Sequence, residues 1–419
     1  MSNFGEYNKD RNAFVHAGEP LVFQSDFYNN FLLKSIEESK NHIDVYTILI
    51  NSAHEVVYAQ WAEYFKTHPH LEIDERKKIV EDYYSFCGFG KIVLRSVTPK
   101  GGHVETPYEH YASGWKKNNE QREEGETGVS FFTIGFLCGA TEAIYDIPLG
   151  TFAGKQVKCL SKGDNTCRFE IFRGLKKKLH KSPAEGVPQS FVASANVSDT
   201  NIDYDSVRDS VIGMKMQGKH ESGLIESFGV LFVRHYANYY CLVAIRMMIE
   251  LEKKSGKEGI GMAKSMMQEA GNICAFHTLG AIMTSSEWER IIEPNIKSQD
   301  DWLHGILACI NGLGWGNWEV ESIDITGDTI FNITGGYESN SFLKLVGKSK
   351  EPICYFLQGT LAGIMNLIYH SDITKKPTLD KDFYNLTFGN SPDRFESTAV
   401  ATRMMGFDYD KIIVKKRTE

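Results

Sequence analysis

Residues 88–97 read GFGKIVLRSV, and a related stretch recurs at residues 314–323 as GWGNWEVESI. A second pair lies further along, where residues 135–139 read GFLCG and residues 359–363 read GTLAG. The members of the second pair are 224 residues apart (359 − 135), close to the 226 residues (314 − 88) that separate the first pair. Separate matches at a nearly constant offset predict that one structural unit occurs twice in the chain.

A third match places residues 163–170, GDNTCRFE, opposite residues 389–396, GNSPDRFE, at an offset of 226 (389 − 163). Between the units, the chain has a short basic run, two prolines and small polar residues without sustained apolar periodicity, a composition typical of a linker. We therefore expect a first domain over residues 1–175, a linker over residues 176–200 and a second, divergent domain over residues 201–419.

Each unit places its helices before most of its strands. Apolar residues recur at helical spacing over residues 43–66 and residues 262–283, which predicts a long helix in each unit. Turn residues after the two GxG stretches predict hairpins, and the Gly-xxx-Gly segments predict a helix packed closely against a sheet. Helices grouped before antiparallel strands indicate an α+β fold in two tandem copies, the second degenerate, rather than a doubly wound α/β fold.

The composition excludes several classes of protein. The 419 residues include 46 Lys and Arg against 54 Asp and Glu, a formal charge of −8, and 42% are hydrophobic. The chain is therefore globular, and we expect no basic surface for nucleic acid. The most apolar stretch, Phe228–Ile249, contains Arg234 and Arg246, so we predict a buried helix rather than a membrane span. Without an apolar leader, and with eight cysteines expected to be reduced, we predict a cytoplasmic protein.

Residues 135–169 carry a glycine-bearing helix followed by the pattern Cys159-x3-Gly-x3-Cys167-x-Phe. This segment resembles the 4-vinyl reductase domain family and is similar to the sensory domains of phenol- and toluene-responsive transcription activators. The second unit repeats part of the pattern in residues 352–363, PICYFLQGTLAG. The resemblance implies a domain of helices and an antiparallel sheet that binds a small hydrophobic, aromatic molecule. Structural relatives in vesicle-tethering complexes use the same fold as a scaffold.

Zinc is the cofactor that the resemblance implies. In the sensory domains, a Cys on the glycine helix, a Glu and a later Cys pair form a tetrahedral site. The corresponding positions here are Ser130, Gln156, Cys159 and Cys167 in the first unit and Cys354, Asp382, Asn385 and Asp393 in the second. Neither set is intact, because zinc favours thiolate and imidazole ligands.

The first unit could rebuild a zinc site from three thiols and one further ligand. These residues are Cys138, Cys159 and Cys167, with Glu142 or His110 in the fourth position. Two alternatives stay open: the thiols pack as small apolar groups in the core, or two of them form a redox pair.

The aromatic and polar residues before the glycine helix indicate a ligand pocket. By resemblance to a Ser-Trp-type pair in the sensory domains, Trp115 and Phe342 are expected to line a cavity for an aromatic ligand. The alternative for Trp115 is plain core. His103 and Glu105 point to the same face of a predicted strand, and with His110 they could bind a metal or anchor a phenolic hydroxyl. The alternative for this cluster is a solvated hairpin face.

Three classes of function follow from these patterns. The first is a tandem sensor or carrier for a small aromatic molecule, which acts through a separate output protein or pairs with a second copy. The second is an enzyme for a small hydrophobic substrate, with iron, another metal or haem as cofactor. The sequence contains no nucleophile elbow, paired-His zincin helix, Walker loop or dinucleotide fingerprint. The third class is a scaffold or assembly protein.

Overall fold

The computed structural model describes residues 4–9, 11–123, 126–174, 178–180, 197–389 and 393–417. Most of the expected linker at residues 176–200 lies outside the described residues, so the domain boundaries stay a prediction. The described residues combine helices with three antiparallel sheets. This arrangement confirms the α+β class.

Helices and strands follow one order in both halves of the chain. The first half contains β1 (Glu6–Asn8), β2 (Ala13–His16), β3 (Glu19–Ser25), α1 (Asp26–Glu37), α2 (Val45–Thr67), α3 (Ile73–Phe86), β4 (Gly101–Thr106), α4 (His110–Asn118), α5 (Phe131–Ile144), β5 (Phe152–Lys158) and β6 (Cys167–Arg173). The second half contains α6 (Tyr204–Gly213), β7 (Ile225–Ser227), β8 (Val230–Tyr236), α7 (Ala237–Ser255), α8 (Lys257–Cys274), α9 (Gly280–Met283), α10 (Ser286–Ile291), α11 (Gln299–Gly312), β9 (Asn317–Ser322), β10 (Thr329–Thr334), α12 (Tyr337–Leu345), α13 (Tyr355–Met365), α14 (Lys381–Phe388), β11 (Phe395–Ala401) and β12 (Asp410–Lys416). The ten elements from β2 to β6 in the first half correspond, in chain order, to ten elements of the second half: β7, β8, α7, α8, α11, β10, α12, α13, β11 and β12.

The two halves meet in one continuous sheet. Its strand order is β1-β2-β3-β8-β7, and the central antiparallel pair places Leu21 opposite Tyr236 and Ser25 opposite Phe232. The other two sheets belong to one half each, with the orders β4-β6-β5 and β11-β12-β10-β9. Because β3 and β8 are antiparallel, α1 leaves this sheet at one end, after Ser25, and α7 leaves it at the other, after Tyr236; α1 then packs on α8 and α7 on α2.

The predicted long helices are present. Residues 43–66 correspond to α2, which begins after Asp44, whose carboxylate accepts a hydrogen bond from the Thr47 amide at 3.1 Å. Such a cap satisfies an amide that has no partner within the helix. Residues 262–283 correspond to α8, which continues through one turn of π-helix at Ala275–Leu279 into α9.

The glycines of the first repeat match adopt matching backbone conformations. The φ angles are +90° and +119° at Gly88 and Gly90, and +83° and +119° at Gly314 and Gly316. Only glycine takes such angles without strain. In the second half, the stretch enters the predicted β9–β10 hairpin. The hairpin predicted for the first half is wrong, because the described residues between Gly90 and β4 form no strand; there, the Leu94 amide donates instead to the Glu81 carboxylate at 2.6 Å.

The glycines of the Gly-xxx-Gly helices face neighbouring helices and not the sheet as predicted, although α5 and α13 also contact the strands β5 and β11. A Cβ atom added to Gly135 would lie 2.3 Å from the carbonyl oxygen of Ile50 on α2, and one added to Gly359 would lie 2.0 Å from that of Gln268 on α8. The missing side chains therefore let α5 approach α2, and α13 approach α8, at backbone distance. These contacts also set the register, in which Ile50 corresponds to Gln268.

The third repeat match is wrong in register. Residues 163–170 lead into β6, whereas residues 389–396 lead into β11, the counterpart of β5. The true counterpart of Gly163 is Gly406: each glycine ends a short 3-10 turn before the closing strand, with φ of +87° and +104°. The two short sequences are similar, but the turns that they form are not equivalent in the two halves.

The apolar stretch Phe228–Ile249 is not one buried helix. It begins with β8, a strand buried along its whole length, and only continues as a helix from Ala237. β8 pairs with β3 and β7, and strands buried on both faces read as continuous apolar runs. Within the described part of the chain, no helix is long and apolar enough to cross a membrane.

Candidate functional site

An apolar cavity of about 30 Å³ lies in the second half. Its lining comes mainly from aromatic and flexible side chains, which include Tyr28, Tyr240, Met267, Phe342, Ile353 and Phe356. Tyr28 belongs to α1 of the first half and reaches the cavity because α1 packs on α8 of the second half. Its ring lies 4.9 Å from that of Phe356 and 5.3 Å from that of Tyr240, both edge to face. The cavity therefore requires both halves of the chain.

Glu338 supplies the ionisable group of this cavity. Its carboxylate accepts hydrogen bonds from the amides of Phe356 and Leu357, at 3.3 and 3.0 Å, in the first turn of α13. Part of its surface stays accessible, but desolvation among apolar side chains raises its pKa to about 8. At neutral pH the carboxyl is therefore largely uncharged and can donate one hydrogen bond.

A second cavity, of about 10 Å³, lies at the equivalent place in the first half. The register of the glycine helices makes Leu49 the counterpart of Met267. The other counterparts are Val129 for Ile353, Phe132 for Phe356 and Leu33 for Ala244, all of which line their respective cavities. Tyr239 of α7 enters this cavity as Tyr28 enters the other, so the halves exchange one tyrosine each. The first-half cavity is smaller, as expected where Leu33 replaces Ala244.

A buried polar network borders the first-half cavity. The Tyr111 hydroxyl donates to Nε2 of His235 at 2.5 Å, and the Tyr240 hydroxyl donates to the side-chain oxygen of Asn29 at 2.6 Å. The Asn29 amide in turn donates to Nε2 of His110 at 3.0 Å. Burial lowers the pKa of His110 to about 3, so this imidazole is neutral, and its Nδ1 has no partner among the described residues.

The predicted ligand residues fall in different places. Phe342 lines the second-half cavity. Trp115 lies away from both cavities, where its ring packs between Arg122 at 4.9 Å and Lys34 at 5.0 Å and its indole N–H donates to a backbone carbonyl. His103 and Glu105 share the exposed face of β4, and His110 is buried elsewhere. The three side chains therefore do not form a cluster, and a role for any of them in binding stays a prediction.

The residues predicted to bind zinc are also dispersed. Within the described ranges, no group of three or more His, Cys, Asp or Glu side chains is placed to hold a metal ion. The Glu142 carboxylate already accepts hydrogen bonds from Nε2 of His54 at 2.7 Å and from the amides of Gly150 and Phe152 at 3.0 and 2.7 Å. Cys138 is buried on α5. This donor set does not fit a tetrahedral zinc ion, and zinc, iron or haem stays a prediction only.

Cys159 and Cys167 do lie together, with both thiols buried. A hydrogen bond from the Cys167 thiol lowers the pKa of Cys159, and the same contact and burial raise that of Cys167. Nearby, Gln156 contacts Ser130, whose hydroxyl donates to Glu109 at 2.7 Å. The four positions that the resemblance assigned to the first unit therefore converge, but serine and glutamine hold two of them.

In the second half, three of the four assigned positions are wrong. Asp382, Asn385 and Asp393 are exposed, on or after α14. The structural counterpart of Cys167 is Asp410, the first residue of β12 as Cys167 is the first of β6. Asp410 is buried and accepts hydrogen bonds from the Ser339 hydroxyl at 2.8 Å and the Arg403 amide at 2.7 Å. The error follows from the misplaced third repeat match.

Glu338 should make the folded chain less stable as pH rises from about 5 to about 8. The folded chain keeps this carboxyl protonated up to about pH 8, whereas the ordinary pKa of a glutamate is 4.5. Between these values the folded state binds more protons, so the free energy of unfolding decreases as pH rises. Urea unfolding at pH 5.5 and 8.5 should show that the free energy of unfolding of Glu338→Gln, relative to that of the wild type, increases with pH. An equal pH dependence in both proteins would contradict the raised pKa.

Sequence reasoning missed Tyr28, Tyr240, Met267 and Glu338. The one signal that could have found them is the repeat itself, because a correct alignment of the halves places Met267 opposite Leu49. The alignment does not identify Tyr28 and Tyr239 as cavity residues, since each of them lines the cavity of the other half.

No family model and no curated protein matches the chain. Among solved structures, the chain is similar to the phenol-responsive sensory domain of the transcription activator PoxR with phenol, at a TM-score of 0.35 and 13% sequence identity. The similarity covers 50% of this chain and 90% of that chain. Membership of the 4-vinyl reductase family is therefore not supported by a family model, and a likeness at this TM-score is too weak to assign a function.

Proposed function

We propose that the chain binds a small aromatic molecule carrying a hydroxyl group in the second-half cavity. The observation that carries this proposal is the combination of an apolar, aromatic lining with the carboxyl of Glu338. Small-molecule sites are generally apolar with a few polar groups that fix the orientation of the ligand. A largely uncharged carboxyl can both accept a hydrogen bond from a hydroxyl and donate one to it.

The cavity must enlarge to admit such a ligand. A volume of about 30 Å³ holds about two water-sized groups, which is less than an aromatic ring needs. Met267 and Met404 border the cavity, and the unbranched methionine side chain has three rotatable bonds and changes conformation readily. Rotation of these two side chains is the movement that we propose for ligand entry.

Phenol binding tests the proposal directly. We expect phenol to bind wild-type protein saturably in isothermal titration calorimetry. Met267→Phe should fill the cavity and weaken binding by about tenfold or more, the equivalent of about 1.4 kcal/mol. Met262→Phe makes the same change on an exposed position of α8, 43% accessible, and should leave the affinity unchanged.

A second variant keeps this test decisive if Met267→Phe does not fold. Ala244→Leu also fills the cavity, and the fold tolerates leucine at the equivalent position in the first half, Leu33. Failure of the wild type to bind phenol at about 10 mM, a concentration that detects even weak binding, would contradict the proposal. So would unchanged affinity in both cavity variants.

A further inference from the structure

A separate cavity of about 40 Å³, whose lining is mostly apolar but includes two cations, lies where the β2–β3 turn meets α12. The turn contributes Gly18, and Arg11 lies just before β2. Helix α12 contributes Ser341 and Lys344. Asn238, the second residue of α7, lies on the remaining side. The cavity is thus built by both halves of the chain, and it is distinct in its lining from the aromatic cavity, with which it shares only Tyr337.

Two cations line this cavity with little to neutralise them. Among the described residues, the side chain of Arg11 forms no ion pair, and Nζ of Lys344 contacts only the carbonyl oxygen of Gly18, at 3.4 Å. Burial lowers the pKa of Lys344; the nearby charge of Glu19 opposes this, and the positive charge of Arg11 adds to it. Two cations that repel each other at the wall of one cavity favour the binding of an anion between them.

Glu19 is the carboxylate that faces these cations. It is buried and does not line the cavity. Its two oxygens accept hydrogen bonds from Asn238, at 3.3 Å from the backbone amide and 2.7 Å from the side-chain amide. Burial raises its pKa to about 7. Even when ionised, Glu19 supplies one negative charge against the two cations, so the site keeps a net positive charge.

Three buried polar atoms of the lining have no partner among the described residues: the side-chain oxygens of Asn238 and Asn340 and the hydroxyl of Ser341. Of these residues, Asn238 and Ser341 are 0% and 2% exposed. The amide nitrogen of Asn238 is fixed by Glu19, so its oxygen can serve only as an acceptor. Buried polar atoms without partners are costly, so these atoms indicate a ligand that both accepts and donates hydrogen bonds.

We propose that this cavity binds a small hydroxycarboxylate. The carboxylate of the ligand lies between Arg11 and Lys344 and accepts a hydrogen bond from the hydroxyl of Ser341. The hydroxyl of the ligand donates a hydrogen bond to the side-chain oxygen of Asn238. The cavity volume corresponds to about three water-sized groups, which limits the ligand to an acid of two or three carbons. This site is independent of the proposed aromatic site.

Titration with glycolate tests this site. We expect glycolate to bind saturably in calorimetry, and acetate, which lacks the hydroxyl, to bind at least about tenfold more weakly. Lys344→Met keeps the apolar stem and removes the charge, so it should weaken glycolate binding about tenfold or more. Lys350→Met removes a charge from an exposed position just beyond α12 and should leave the affinity unchanged.

Other outcomes would overturn the assignment. Equal affinities for acetate and glycolate would exclude the role of Asn238, and tighter binding of inorganic phosphate than of glycolate would show that the site selects a different oxyanion. If Lys344→Met does not fold, Arg11→Gln at the edge of the cavity takes its place, with the same loss expected. Phenol binding should be unaffected in either variant, so failure of this site and failure of the aromatic site are distinguishable.

Discussion

Replacing Gly359 by alanine should destabilise the folded chain by about 2–4 kcal/mol. The new Cβ atom would lie 2.0 Å from the carbonyl oxygen of Gln268, a distance at which one backbone must move. A separation of α13 from α8 would also disturb the aromatic cavity, because Phe356 and Met267 lie on these two helices. Urea unfolding of the variant and the wild type measures the difference in the free energy of unfolding.

Gly261→Ala is the matched control for this prediction. Gly261 lies on α8 as well, but its added Cβ atom would meet nothing within 4 Å. Alanine at an exposed helical position reduces the entropy of the unfolded chain and favours the helix, so this variant should be stabilised by about 0.5–1 kcal/mol. A loss of stability in Gly261→Ala equal to that in Gly359→Ala would contradict the close approach of the two helices.

Glu142→Ala should destabilise the chain by about 3–5 kcal/mol, because it leaves several buried hydrogen-bond donors without an acceptor. Glu142 and His54 are both fully buried, 2.7 Å apart. The carboxylate also accepts the amides of Gly150 and Phe152, so its loss leaves three buried donors without an acceptor. Thermal or urea unfolding measures the effect.

Glu170→Ala controls for the loss of a glutamate from the same half. Glu170 forms a largely exposed ion pair with Lys155 at 3.2 Å, and such pairs contribute less than about 1 kcal/mol. If Glu142→Ala were no more destabilising than this control, the carboxylate would not support the α5–β5 junction. Its sequence-based assignment as a metal ligand would then deserve a new test, by titration of wild type and variant with zinc.

The sequence predicted the parts of the fold that local patterns specify. Glycines that need a positive φ, as at Gly90 and Gly316, leave a recognisable stretch in each half. The period of apolar residues likewise identified α2 to within two residues, and the helix that runs from α8 into α9 with the correct end and a start five residues late. The Gly-xxx-Gly segments were correctly assigned to helices, but their packing partner was not, because a small side chain indicates close approach without saying to what.

The candidate site was predicted only in part for a similar reason. Phe342 was identified from its place before the glycine helix, and it does line the cavity. The expected zinc ligands were chosen from residue type, and the structure gives the carboxylate of Glu142 a different set of partners. Residue type shows which chemistry a side chain can do, and its neighbours decide whether that chemistry is available.

The amino-acid order alone determined that the unit occurs twice and that it combines helices with antiparallel strands. Only the tertiary structure decided that β3 pairs with β8, which carries Tyr28 into the cavity of the second half and Tyr239 into that of the first. Helix period, glycine conformation and capping each depend on a few neighbouring residues, so the local sequence specifies them. A cavity wall made by residues more than 200 positions apart depends on the pairing of distant strands, and no local pattern records that pairing.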